Sequence, residues 1–126
     1  MTYLPALRMT RRLKGTIELE EHHDRQYFED AVGMTGDWRR NGPVFCIPFR
    51  ALTAVKTGNL VAIGRCISAG KTAWDIMRAI PTCAVTGEAA GTASAMLCAK
   101  GKQSFAELDV VCLQERLRSQ KVVVTT

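Results

Sequence analysis

A glycine-lysine-threonine tripeptide is the first group of residues that could do chemistry. Gly70-Lys71-Thr72 follows an apolar run, as in the loops that cradle nucleotide phosphates with backbone amides and a lysine. Those loops place four residues between their two glycines, whereas five residues separate Gly64 from Gly70. The spacing therefore argues against a phosphate-binding loop.

Metal-binding and nucleophilic residues are present, but not in the spacings that such sites use. The two histidines, His22 and His23, form no H-x-x-x-H or H-x-x-E-H pattern. No serine–histidine–carboxylate set stands out either. We expect the histidines to mark a solvated helix start, predict no metal site, and assign no catalytic residue.

Five cysteines are dispersed along the chain, and none forms a C-x-x-C pair. This distribution argues against a disulfide framework and against zinc, and it favours a reducing compartment. The first residues lack the apolar core of a signal peptide, because Pro5 interrupts them and arginines follow. The sequence therefore predicts a cytoplasmic protein.

Gly87 and Gly91 form a G-x-x-x-G pattern in a stretch rich in small residues. Pro81 provides a good first helical position and Lys100-Gly101 a good helix end, so about twenty residues of helix are predicted. Glu88 and the surrounding hydroxyl residues argue against a membrane span. The nearly bare face permits either dense packing of the helix on its neighbours or close approach of a flat ligand.

Composition indicates a single small globular domain. The chain has 126 residues, of which 47% are hydrophobic and 23% charged, and its formal net charge is +5. Two full domains, disorder and fibrous repeats are excluded as descriptions of the whole chain. The alternation of basic residues from Arg8 to Lys14 is typical of a solvated strand face, so we expect no nucleic-acid binding.

Hydrophobic periodicity predicts a mixed set of elements. Strands are predicted at 16–20, at 44–52 with Pro48 at an edge or bulge, and at 59–64 with both faces buried. A short amphipathic helix is predicted at 20–32, and no clear element at 68–78. The chain should close with a helix that buries one face; Ser104 to Glu107 has the spacing of a capping box, and Asp109 offers a second cap. The apolar residues of this helix are Val110, Leu113 and Leu117.

One combination of elements indicates a ligand site. The strand predicted to end at Gly64-Arg65 is followed by small polar residues and then by the helix that begins near Pro81. In α/β folds, flat or anionic ligands bind where the carboxyl end of a strand faces a helix N-terminus.

The same residues resemble the C-terminal signature of the FAD-dependent oxidoreductase family, which has a flavoprotein fold with two dinucleotide-binding domains. The similarity extends over nearly the whole chain. It is carried by residues 11–15, 28–33, 47–52, 64–68, Arg78, 81–83, 87–93 and 108–114.

The resemblance implies a small α+β or α/β part of that fold, with few strands packed against a long small-residue helix and a C-terminal helix. Residues 1–58 would end a substrate-domain-like region, residues 59–103 would provide the last FAD-domain strand and the flavin-facing helix, and residues 104–126 would form the C-terminal helix and tail. The implied cofactor is FAD, and the implied activity of the complete enzyme is hydride transfer through it. The residues implied to line the cofactor are Gly64, Arg65, Ile67, Ser68, Arg78, Pro81, Thr82, Cys83 and Gly87.

The resemblance also implies a partner. No G-x-G-x-x-G motif, which would hold the ADP half of FAD, occurs in these 126 residues. We therefore expect a C-terminal fragment that is inactive alone and is completed by an N-terminal FAD-binding portion or a complementing chain, with self-association also open. The alternative is a non-catalytic scaffold or interaction module that no longer binds flavin.

Overall fold

The computed structural model describes residues 11–125, in which a two-stranded antiparallel sheet packs against three α-helices. The α+β expectation is confirmed. The strands and helices are β1 (Ala31–Gly36), β2 (Val44–Pro48), α1 (Lys71–Met77), α2 (Ile80–Ala99) and α3 (Val110–Ser119). Short 3-10 turns occupy Glu21–His23, Phe49–Ala51, Gly64–Cys66 and Phe105–Glu107.

The long small-residue helix forms as predicted, because its end signals are local. Pro81 lies in the first turn of α2, where its missing N–H is not needed. Lys100 follows the last helical residue, and Gly101 then takes a left-handed φ of +64°. Three buried alanines help to form the inner face of this helix: Ala89, Ala90 and Ala93.

The sheet is a hairpin joined by the loop 37–43. Gly36 pairs with Val44 and Met34 with Cys46, and the register then shifts before Ala31 meets Pro48. The strand predicted at 44–52 is confirmed over its first half. It ends at Pro48, beside the irregularity that the proline predicted, and the chain continues into a 3-10 turn.

The helix predicted at 20–32 is wrong. A single 3-10 turn forms at Glu21–His23, Arg25 then takes a positive φ of 56°, and residues from Ala31 onward enter β1. The apolar spacing that suggested a helix includes Tyr27, which is exposed. Pairing with β2, rather than local periodicity, decides the structure here.

The strands predicted at 16–20 and 59–64 are also wrong. Among the described residues, each segment makes only one isolated bridge: Leu19 pairs with Ala69, and Val61 pairs with Thr53. Burial still alternates along the first segment, since Leu19 is buried and Glu18 exposed. The second segment is not buried on both faces, because Ile63 is 48% exposed.

Helices α1 and α3 complete the core. No clear element is predicted at 68–78, yet α1 begins directly after Gly70. The predicted cap at Asp109 of α3 is confirmed, because its carboxylate accepts a hydrogen bond from the Cys112 N–H at 3.1 Å. Leu113 and Leu117 of α3 are fully buried, and Val110 is half-buried.

In the described part of the basic stretch, residues 11–15, the predicted strand does not form. Residues 1–10, including Arg8, lie outside the described residues, and residues 11–15 are irregular. Arg12 forms an ion pair with Glu18 at 2.6 Å. In the part of the chain that is described, no helix combines the length and apolar character needed to cross a bilayer.

Candidate functional site

Gly64, predicted as the end of a buried strand facing the helix start, lies beside α2 as predicted but in a 3-10 turn instead of a strand. Gly64 begins the 3-10 turn with φ of +58° and is buried. Its N–H donates to Thr86 Oγ1 at 3.0 Å. A Cβ at this position would lie 2.9 Å from Cys83 Sγ, so both the backbone conformation and the contact with α2 require glycine.

The N-terminus of α2 is open. Ala79 is the N-cap residue and cannot cap the helix with its side chain, and no acidic residue occupies the first turn. The first hydrogen bond of the helix runs from the Cys83 N–H to the Ala79 carbonyl at 2.9 Å. Ile80 is 86% exposed. The positive end of the helix dipole is therefore not neutralised by a side chain of its own first turn.

Threonine hydroxyls fasten this end of α2 to its neighbours. Thr82 is buried, and its Oγ1 lies 2.6 Å from Thr35 Oγ1 on β1. One turn further along, Thr86 Oγ1 donates to the Thr82 carbonyl at 2.9 Å while it accepts from Gly64. The hydroxyls therefore connect β1, α2 and the Gly64 turn.

Besides Gly64 and Thr82, two more of the predicted cofactor residues are buried. Ile67 is fully buried in the core. Ser68 is buried too, and its N–H donates to the Ala51 carbonyl at 2.9 Å while its carbonyl accepts from the Leu19 N–H at 3.0 Å. These residues anchor the turn in the protein, whereas Arg65 is exposed.

Arg78 is brought close to the site but is already engaged. Its Nε lies 2.7 Å from Asp75 Oδ1, and its guanidinium carbon lies 5.5 Å from the ring centre of Trp74 and 5.8 Å from that of Trp38. Cation–π contacts of this kind hold an arginine in one orientation. Arg78 therefore fixes the junction between α1 and α2, with 19% of its side chain exposed.

Trp38 is a neighbour of the site that the sequence did not reveal. It lies on the loop between β1 and β2, and its indole Nε1 donates to the Asp75 carbonyl at 3.0 Å. The indole is nevertheless 59% exposed. No local pattern could have indicated this contact, because its partner lies 37 residues away.

The G-x-x-x-G face of α2 is open rather than packed. A Cβ on Gly91 would meet nothing within 4 Å, and one on Gly87 would lie 3.7 Å from Ile63 Cδ1. Ala84 and Ala95 on the same helix are exposed as well. Within the described residues, these glycines therefore do not serve dense helix packing.

The histidines do not start a helix but lie in a 3-10 turn, where His22 is exposed and His23 half-buried. His23 Nδ1 accepts from the Glu20 N–H at 2.9 Å, and burial, followed by the charge of His22, lowers the pKa of His23. Among residues 11–125, no group of three histidine, cysteine or acidic residues is arranged to hold a metal ion.

Comparison with known proteins identifies the class. The family model described as FAD dependent oxidoreductase matches residues 3–117. This chain therefore belongs to the FAD dependent oxidoreductase family, as the resemblance of its motifs implied. No curated protein and no solved structure gives a significant match.

Proposed function

We propose that this chain supplies the flavin-facing part of an FAD-dependent oxidoreductase that transfers hydride through its flavin. Membership of the family supports FAD as the cofactor. The observation that carries the proposal is the packing of the Gly64 turn against the first two turns of α2, beside Cys83 and through a hydrogen bond to the Thr86 hydroxyl. A glycine turn facing a helix N-terminus is the arrangement in which α/β proteins bind flat, anionic ligands.

The residues at this place fit the flavin. Reduction of an isoalloxazine places negative charge at its pyrimidine edge, and the first turn of α2 presents positive charge without a competing carboxylate. The dipole of such a helix stabilises a nearby anion by about 0.3–2 kcal/mol. Ile63 and Ile80 provide exposed apolar surface for a planar ring. FAD, when bound, supplies the hydride-accepting chemistry.

The predicted cofactor residues divide into two roles. Arg65 is exposed, and within the described residues no carboxylate pairs with it, so its guanidinium is available for the FAD pyrophosphate. The Gly64 turn, Pro81 and Cys83 would lie against the ribitol and the ring, with Gly87 leaving space beside Ile63. The buried Thr82 would hold the helix to β1 beneath this surface. Ile67, Ser68 and Arg78 would support this surface from behind.

The remainder of the FAD site would come from a dinucleotide-binding unit outside these 126 residues. The ADP half of FAD needs a glycine-rich β-α-β unit, and the sequence contains no G-x-G-x-x-G motif. The exposed small-residue face of α2 suits close coverage by such a unit, because Gly91 and Ala95 present little side chain. This face continues from the proposed flavin surface along the same helix.

Titration of the purified chain with FAD, followed by flavin fluorescence, tests the proposal. Gly87→Leu should abolish binding, because the new side chain would project beside Ile63. Gly91→Leu is the matched control: it adds the same side chain to the same helix one turn further from the N-terminus, where a Cβ meets nothing. Both variants should retain the circular dichroism spectrum of the parent chain.

Saturable binding that is lost in Gly87→Leu and kept in Gly91→Leu supports a preformed flavin surface. Equal binding by the parent and Gly87→Leu would mean that flavin lies elsewhere. A folded parent chain that takes up no flavin would contradict a preformed surface and favour the scaffold alternative.

A further inference from the structure

We infer that Thr86 is a positioning residue, which sets the geometry between the Gly64 turn and the first turns of α2. The consequence for flavin binding rests on the proposed function. The geometric part rests on the hydrogen bonds alone and is tested separately.

The hydroxyl of Thr86 acts in two directions at once. It accepts a hydrogen bond from the Gly64 N–H at 3.0 Å, and it donates to the Thr82 carbonyl at 2.9 Å, with the Cys83 carbonyl a second acceptor at 3.1 Å. Thr86 is completely buried. A hydroxyl supplies one donor and two acceptor lone pairs, so Thr86 can satisfy both sides simultaneously.

Thr86 is the side chain that satisfies the buried Gly64 amide. The N–H of the first residue in a helical turn has no partner within the turn and must find one elsewhere. Gly64 is buried, so without the Thr86 hydroxyl this donor would lose its hydrogen bond away from bulk solvent. An apolar side chain of the same shape would fill the space but could not accept the hydrogen bond from the Gly64 N–H.

The connection extends to the sheet. Thr82, whose carbonyl accepts the hydrogen bond from Thr86, also contacts β1, because its Oγ1 lies 2.6 Å from Thr35 Oγ1. Cys83 also limits how closely the turn can approach α2, because a Cβ added at Gly64 would lie 2.9 Å from Cys83 Sγ. A steric contact limits approach but does not fix orientation, whereas a hydrogen bond is directional. Thr86 therefore fixes the orientation of the Gly64 turn relative to the helix N-terminus.

The test compares Thr86→Val, which keeps the shape and removes the hydroxyl, with Thr86→Ser, which keeps the hydroxyl. Thr86→Ala is a second deletion that leaves room for water if the valine variant does not fold. Thr92→Val is the matched control on the same helix, because Thr92 Oγ1 donates to the exposed Gln120 at 3.4 Å and touches neither the turn nor β1 through an assigned hydrogen bond.

Two quantities are measured: hydrogen exchange of the Gly64 amide by NMR in the free chain, and the Kd for FAD. We expect Gly64 exchange to rise by about tenfold in the hydroxyl-deleted variants, and the Kd for FAD to rise by about tenfold. Thr86→Ser and Thr92→Val should match the parent in both. Amides elsewhere in α2 should keep their protection, which a merely structural loss would lower throughout.

Unchanged Gly64 exchange in folded Thr86→Val and Thr86→Ala would overturn the inference. Raised exchange with an unchanged Kd would overturn the link to flavin while leaving FAD binding intact. A parent chain that binds no FAD would contradict the proposed function, and the exchange measurement would still decide whether Thr86 positions the turn.

Discussion

Gly33 of β1 lies directly against Val85 of α2, so closely that a Cβ on Gly33 would overlap Val85 Cγ1. Gly33 is buried, and α2 packs across β1 at this point. This close approach between helix and strand therefore uses a glycine in the strand. The two glycines of the helix, Gly87 and Gly91, leave their space open.

Gly33→Ala should lower the free energy of unfolding by about 1–3 kcal/mol, because an extra methyl group is forced into a filled contact. Gly36→Ala is the matched control in the same strand, since a Cβ there would lie 3.9 Å from its nearest neighbour, the Pro43 carbonyl oxygen. The control should change stability by less than about 0.5 kcal/mol. Urea unfolding followed by circular dichroism measures both, and equal stabilities would show that α2 can shift without penalty.

Gly64→Ala should destabilise the chain more than Gly101→Ala. Both glycines have left-handed φ, +58° and +64°, so alanine strains the backbone at each by about 1–2 kcal/mol. A Cβ at Gly101 meets nothing within 4 Å, whereas one at Gly64 would press on Cys83 Sγ. The difference between the losses of unfolding free energy in the two variants measures the cost of this contact with Cys83. If Gly64→Ala destabilised the chain no more than Gly101→Ala, the contact would have no effect on stability.

Stability should fall between about pH 4 and pH 2 because of Asp37. Hydrogen bonds from Arg39 lower the pKa of this carboxyl from 3.8 to about 2, and the charge of Arg40 acts in the same direction. A group whose pKa is depressed on folding contributes stability above its unfolded pKa, and this is lost as the pH falls through the folded pKa. Unfolding free energies measured from pH 2 to 7 should show the decline.

Asp37→Asn should flatten this pH dependence and lower stability at pH 7, because the buried carboxylate accepts hydrogen bonds from both arginines. Glu88→Gln is the control, since Glu88 is exposed and forms no ion pair with any described residue. If Asp37→Asn kept the acid-induced decline of the parent chain, another group would be its source.

Gln114→Ala should destabilise the chain by about 1–3 kcal/mol. The buried Gln114 of α3 donates from Nε2 to the Glu29 carbonyl at 2.8 Å and to the Ala31 carbonyl at 2.9 Å, which ties α3 to the start of β1. The neighbouring Glu115 is exposed, so Glu115→Ala has the same helix context without the buried hydrogen bonds. Thermal unfolding of the two variants should differ, and coincident curves would contradict the role of Gln114.

The parts of the fold that the sequence predicts correctly are those that depend on residues close together in the chain. Helix α2 is delimited by Pro81 and Gly101, which act through their own backbone geometry. Asp109 likewise caps α3 through a residue three positions away. In contrast, β1 forms where a helix was expected, because its pairing with β2 depends on residues across a loop.

The candidate site was predicted in outline for the same reason. The residues at Gly64 and the helix start carry recognisable motifs, so their juxtaposition is predicted, although with Gly64 at the end of a strand instead of in a turn. The hydrogen bond from Gly64 to Thr86 spans 22 residues, and the one from Trp38 to Asp75 spans 37. Such contacts depend on how elements pack, and the periodicity of one segment carries no information about them.

The stacking of Arg78 between Trp38 and Trp74 determines what the protein's own fluorescence can report. These are the two tryptophans of the chain, and both indoles lie within 6 Å of one guanidinium carbon. Intrinsic emission is therefore a local probe of the junction that leads into α2. If this junction loosens before the rest of the protein unfolds, the fluorescence transition will precede the circular dichroism transition. If the protein unfolds in a single cooperative step, the two transitions will coincide.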